Sequence, residues 1–121
     1  MEEVCLVAPL LNGKTEAARA FMGELDGARR DEYDASERRI GISKEVWFLA
    51  PTAAGELLVG YMESGDFESA FAAFVRSRDD FDVWFKQRFA DVTGIDLNDP
   101  PELQLPEVLS SYGNRIQAET T

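Results

Sequence analysis

No histidine occurs anywhere in the 121 residues, and cysteine occurs once, at Cys5. Without histidine there is no Ser-His-Asp nucleophile, no proximal-histidine haem and no ordinary zinc site. A single cysteine cannot form an intrachain disulfide, and Cys5 sits in an apolar run where a buried small hydrophobe is expected. Positive charge is also scarce: 12 Lys and Arg stand against 23 Asp and Glu, a formal net charge of −11. A surface that acidic repels phosphate backbones and anionic lipid, so neither nucleic acid nor membrane is expected as a partner. No apolar run reaches the length of a membrane span, and the start Met1-Glu2-Glu3 is acidic where a signal peptide is basic. These absences together predict a cytoplasmic protein.

What the chain does have is a hydrophobic content of 45 % and an aromatic content of 11 %, enough for one globular core. Residues 1–112 are read as a single domain and 113–121 as a polar tail. The stretch Val46 to Met62 organises the rest. Val46-Trp47-Phe48-Leu49-Ala50 and Leu57-Leu58-Val59-Gly60-Tyr61-Met62 are β-rich runs joined by a short linker with Pro51 and Gly55, which predicts a hairpin. Both runs are apolar at odd and even positions, so both faces of these strands need cover. Helices can cover one face, and a second copy of the chain is the simplest cover for the other, predicting a homodimer through the sheet.

A first strand is expected from Val4 to Leu11 and a helix from Thr15 to about Glu32, with Ala18, Phe21, Met22 and Leu25 on its apolar stripe. The charge-dense stretch Glu24 to Arg39 reads as the solvated end of that helix and a loop. A second strand should start near Arg38 and reach Ala50, kinked or bulged between Gly41 and Ser43. Its even positions Ile40, Ile42, Val46 and Phe48 are assigned to the helix side. Its odd positions Arg39, Ser43, Glu45, Trp47 and Leu49 are assigned to a partner or a cavity. Asp66 is a good N-cap for a helix carrying Phe67, Ala70, Phe71 and Phe74. A break near Ser77 to Asp80 leads into another helix, with Phe81, Trp84, Phe85 and Phe89, that stops at Gly94. After Asp99-Pro100-Pro101, Glu102 to Ser111 alternates weakly and is read as an edge strand. The resulting class is α+β, a ferredoxin-like βαββαβ order with an antiparallel sheet and an extra helix before the last strand.

Few motifs carry chemistry. Gly13-Lys14-Thr15 lacks the earlier glycine of a phosphate loop, because Ala8 stands there. Asp79, Asp80 and Asp82 have neither the glycine nor the distal glutamate of a calcium loop, and no metal or cofactor is expected. A polar and aromatic set remains: Arg39, Glu45, Trp47 and Tyr61. By strand parity it forms either a dimer interface with a buried ion pair or a ligand pocket in which Arg39, Trp47 and Tyr61 contact a small molecule. In the pocket reading Glu45 is the catalytic candidate, an acid/base with a raised pKa in a closed cavity.

Gly13-Lys14, Gly41, Glu45 before Phe48-Leu49, Tyr61-Met62, Asp66, Ala70, Ser77 and Asp82 together resemble an uncharacterised bacterial family of small dimeric α+β-barrel domains. The resemblance spans roughly Val4 to Phe89 and implies a β-sheet dimer with a cavity between sheet and helices. Where that family has a histidine three residues after the aspartate, this chain has Phe85. Two functions are compatible with these readings. One is a homodimeric binding or assembly domain without an assigned reaction; the other is a cofactor-independent enzyme of the monooxygenase or isomerase kind.

Overall fold

The computed structural model describes residues 1–102 and 105–113. These form β1 (Glu2–Pro9), α1 (Thr15–Asp26), α2 (Arg30–Ile40), β2 (Ile42–Thr52), β3 (Gly55–Ser64), α3 (Phe67–Arg76) and α4 (Asp80–Thr93). The hairpin β2–β3 lies at the centre of the chain, and β1 pairs with the far side of β3, so the sheet order is β1-β3-β2 with every pairing antiparallel. The α+β class and the ferredoxin-like run of the first strands and helices follow the sequence. No described residue beyond α4 lies in a strand, so the stretch read as an edge strand at Glu102 to Ser111 is irregular where it is described; residues 103 and 104 lie outside, as does the tail from 114 onward. The prolines at 100, 101 and 106 remove ladder donors, which explains why a weak alternation does not become a strand.

The stretch read as a loop is the helix α2. Its inward positions Tyr33, Ser36, Glu37 and Ile40 fall on one helical stripe, and Gly41 ends it in the left-handed conformation at φ 97°. Asp31 and Glu32 sit in its first turn and Arg38 and Arg39 in its last, the charge order that complements a helix dipole. Asp66 caps α3 by accepting from the Ser69 amide at 3.1 Å. Asp79 caps α4 by accepting from the Phe81 amide, also at 3.1 Å, and Gly94 closes that helix at φ 77°.

A bulge between Ile42 and Lys44 decides which face of β2 meets the helices. Ile42 pairs with Ser64, whereas Lys44 pairs with Glu63, so Ser43 is the extra residue and the parity of β2 inverts past it. Glu45, Trp47 and Leu49 therefore share the covered face with Met62, Gly60 and Leu58. Val46 and Phe48 take the open face instead of packing under the helices. Trp47 lies against Phe85 and Phe89, with ring centroids 6.2 Å away in both cases. It also crosses β3 at Gly60, where a Cβ would come within 2.6 Å of the indole, so glycine is needed for this approach.

The core lies between the covered sheet face and the helices, built from Leu6, Ala8, Leu58 and Met62 below and Phe21, Leu25, Ala70, Phe81, Phe85 and Phe89 above. Among the described residues no helix covers the opposite face of the sheet, where only the segment 107–112 lies beside Glu3, Cys5 and Tyr61. Val7 is 41 % and Phe48 53 % exposed there, beside half-buried Cys5, Val46, Val59 and Tyr61. No helix among the described residues is long and apolar enough to cross a membrane.

Candidate functional site

Beneath α2 and α3, on the covered side of the sheet, a cavity of about 50 Å³ is walled by aliphatic and aromatic side chains and by two carboxyl groups, Glu37 and Glu45. Glu45 enters from β2, and the bulge that inverted the strand is what turns it inward. Its Oε2 accepts the Trp47 indole N–H at 2.8 Å and the Tyr33 hydroxyl. Two donors on one oxygen, from different elements, fix the carboxylate and stabilise its charge. Burial, and then the charge of Glu45, push the Tyr33 phenol up, so it remains a donor throughout the working pH range.

Glu37 reaches the same place from α2, one turn beyond Tyr33. Its Oε2 is buried and meets no donor, a costly position for an ionised oxygen. Burial raises the Glu37 carboxyl first, and the charge of Glu45 and a hydrogen bond to it raise it further, to about 10. The pair thus keeps a proton well above the usual carboxyl range, held between the two groups. Two like charges at close range in a poorly solvated wall cannot both form, the same physics that splits the titration of catalytic carboxyl pairs. The sequence reading gave a raised carboxyl to Glu45; the structure adds Glu37, whose carboxyl is raised beside it.

The four residues grouped by strand parity are separated. Glu45 and Trp47 meet in the cavity wall. Arg39 is on α2 rather than a strand, and its Nη2 lies 2.9 Å from Asp82 Oδ2 and 3.4 Å from Asp79 Oδ1. The hydrogen bond to Asp82 holds its guanidinium above the usual range. Tyr61 is on the open face, with its hydroxyl 2.7 Å from Glu63 Oε2 and 3.0 Å from Glu3 Oε2. Those acceptors, led by Glu63, push the Tyr61 phenol up. The arginine and Tyr61 thus touch neither the cavity nor each other. The polar members that sequence reasoning missed are Tyr33 and Glu37, and the signal that could have found them is the 33-36-37-40 stripe within the charged segment.

Asp82 is the support behind the site. It is fully buried at the start of α4, where it accepts from Ser36 and Ser77 hydroxyls and from Arg39. Ser36 precedes Glu37, so this contact sets the height of α2 above the sheet. Buried Lys86, one turn along α4, donates to the carbonyls of Val75 at 3.1 Å and Ser77 at 2.9 Å, satisfying the open end of α3. Burial pushes the Lys86 ammonium down. Asp79 and Asp82 are thus engaged in capping and ion pairing, and among the described residues no group of three metal-ligating side chains converges.

The profile of a family of unknown function, DUF6176, matches residues 1–110. No curated protein matches the sequence. Among solved structures, tetracenomycin F2 cyclase from Streptomyces glaucescens, a type-II polyketide cyclase, superposes with a TM-score of 0.58 at 20 % identity, over 93 % of this chain and 98 % of that one. L-rhamnose mutarotase from Formosa agariphila superposes with a TM-score of 0.60 at 15 % identity, over 93 % of this chain and 100 % of that one. Both are dimeric α+β barrels, and at these identities the likeness is one of fold.

Proposed function

Because the chain belongs to the DUF6176 family of unknown function, its activity has to be argued from the site, and we propose that the cavity carries out cofactor-independent proton transfer on a small carbonyl compound. The observation that carries this reading is the Glu37–Glu45 pair, two carboxyls in one apolar wall with the buried Glu37 Oε2 meeting no donor. In this scheme the Glu45 carboxylate takes a proton from the carbon beside the carbonyl while Glu37 gives its own to the carbonyl oxygen. Returning the two protons at different positions isomerises the substrate; where it carries a second carbonyl, the enol carbon attacks that carbon, Glu45 gives its proton to the new alkoxide, and Glu37 takes back the enol proton as the first carbonyl re-forms. A carboxyl held near 10 matches the basicity of an enolate-like oxygen, which favours transfer in the transition state. Tyr33 and Trp47 hold Glu45 in place and keep it from swinging toward water. The two structural neighbours, a polyketide cyclase and a mutarotase, share the fold.

Incubating a panel of ketones and β-dicarbonyl compounds in heavy water and following deuterium uptake by NMR tests this reading. Protein-dependent exchange is expected for at least one member, with Glu37→Gln and Glu45→Gln each slowing it about a hundredfold or more. Exchange that is no faster with protein, or that survives both substitutions, refutes it.

A second reading concerns assembly and rests on the part of the open sheet face beyond the segment 107–112. Val7, Val46, Phe48 and Val59 form an apolar surface with no helix above it, of the sort that monomers rarely leave in water. A second copy of the chain is the proposed cover, placing the two sheets face to face around a two-fold axis. Light scattering at about 10 μM should give the mass of a dimer. Phe48→Asp, at an exposed position, should give a folded monomer; a monomeric wild-type protein would overturn this part.

A further inference from the structure

The composition of the cavity wall narrows what can enter it, given that the site reading above holds. Apart from Glu37 and Glu45, every lining side chain is apolar, and six are aromatic: Trp47, Phe67, Phe71, Phe74, Phe81 and Phe85. Among the described residues no cationic side chain lines the cavity, and Lys86 meets it only from behind the Phe74 ring, 5.4 Å from its centroid. Arg39 is committed to Asp79 and Asp82, and Lys86 to the Val75 and Ser77 carbonyls. An anionic ligand would meet a carboxylate with no counter-charge in a poorly solvated space. A polyol would bury several hydroxyls against only two acceptors. At about 50 Å³ the cavity holds no more than the head of an ordinary ligand. The body has one place to go. Phe67 and Phe71, stacked with centroids 5.7 Å apart, line the cavity on one side and, on the other, a groove of about 350 Å³ that also touches Ala72, Pro101 and Leu105, with exposed Glu68 as its one charged residue among those described.

We infer that the site takes an uncharged, flat molecule with an apolar body and a carbonyl or phenol head. The head sits against Glu37 and Glu45, and the body passes between Phe67 and Phe71 into the outer groove. Parting these two half-buried rings joins cavity and groove into one slot of the volume usual for small-molecule sites. The head then exchanges the Glu37–Glu45 hydrogen bond for one of its own, while the aromatic walls cover the ring faces. This chemistry excludes sugars as substrates, although one structural neighbour is a mutarotase.

The probe is 2-naphthol, with 2-naphthoate, a naphthyl trimethylammonium salt and L-rhamnose as comparisons, titrated at pH 7 into nitrogen-labelled protein. The chain has two tryptophans, and only the indole of Trp47 lines the cavity, so its N–H resonance reports filling while that of Trp84 serves as the internal control. A saturable shift of Trp47 alone is expected for 2-naphthol, at least about tenfold tighter than for any of the other three. Phe71→Ala should speed 2-naphthol binding without changing that order. Equal or tighter binding of the naphthoate, the ammonium salt or rhamnose, or no selective shift of Trp47, overturns the inference, and unchanged binding rates in Phe71→Ala overturn the route between the rings. Binding of 2-naphthol without any carbonyl exchange would keep the ligand class and discard proton transfer; exchange confined to charged carbonyl compounds would do the reverse.

Discussion

Glu37→Gln should leave the protein about as stable as wild type near pH 5 and make it more stable by a few kcal/mol at pH 9. The sign comes from linkage. In the unfolded chain the Glu37 carboxyl titrates near its model value of 4.5, and in the folded protein it holds its proton to about 10. Between those values the folded state binds the extra proton, so wild-type stability is greatest below the lower one and falls as pH rises through the window. Glutamine has nearly the same shape, places an amide donor toward Glu45 and cannot ionise, so its stability omits that slope. The full separation would correspond to a larger loss, but α2 can lift locally and let water reach Glu37, which caps the penalty at a few kcal/mol. Urea unfolding of both proteins at pH 5, 7 and 9 separates this slope from every other titrating group, since the others are common to both. Parallel curves would mean that Glu37 is ionised in the native state and that no proton is shared. The same substitution is expected to slow carbonyl exchange about a hundredfold or more, so stability and activity should move in opposite directions, as at other sites where function requires a destabilised group.

Much of the scaffold was legible because its signals are local. The apolar runs at Val4 and Val46 to Met62, the caps at Asp66 and Asp79 and the glycine stop at Gly94 all act within a few residues of the structure they create. The site was harder to read for two separate reasons. The first is the bulge at Ser43. A kink was visible between Gly41 and Ser43, but counting parity straight through it sent Trp47 and Glu45 to the wrong face and Phe48 under the helices. The second is α2, whose buried stripe includes a serine and a glutamate. Helix periodicity is sought in apolar residues, so a stripe that buries Ser36 against Asp82 and Glu37 against Glu45 is taken for a solvated loop. Arg39 was displaced by the same error, since on a helix it points to Asp82 and on a strand it would have faced Trp47. Tyr61 was misplaced only relative to the others. Its register opposite Val46 and Cys5 puts it on the open face, where Glu63 and Glu3 take its hydroxyl.

Asp82→Ala should be the most damaging single substitution in the support of the site, with a loss of about 3–4 kcal/mol. Alanine leaves the Ser36 and Ser77 hydroxyls without their acceptor, and it strands Arg39 beside Asp79 alone. Arg39 is 43 % exposed and can rehydrate, so the loss stays below that of a pair buried at both ends. Lys86 makes the cost greater: the Asp82 charge favours its ammonium against burial, and without that charge the cation keeps the Val75 and Ser77 carbonyls, the Phe74 ring and the weaker influence of Asp96. Asp82→Asn keeps the shape and one acceptor oxygen, so its loss should be roughly half as large, near 1–2 kcal/mol. The two variants also differ at the cavity. Once Ser36 is released, α2 has no buried polar contact holding it to α4, and the Trp47 indole resonance should broaden or move in Asp82→Ala while staying close to its wild-type position in Asp82→Asn. Equal, small losses in both variants would show that apolar packing alone sets the position of α2, and Glu37 would then owe its place beside Glu45 to Tyr33 and Ile40 rather than to the ion pair behind them.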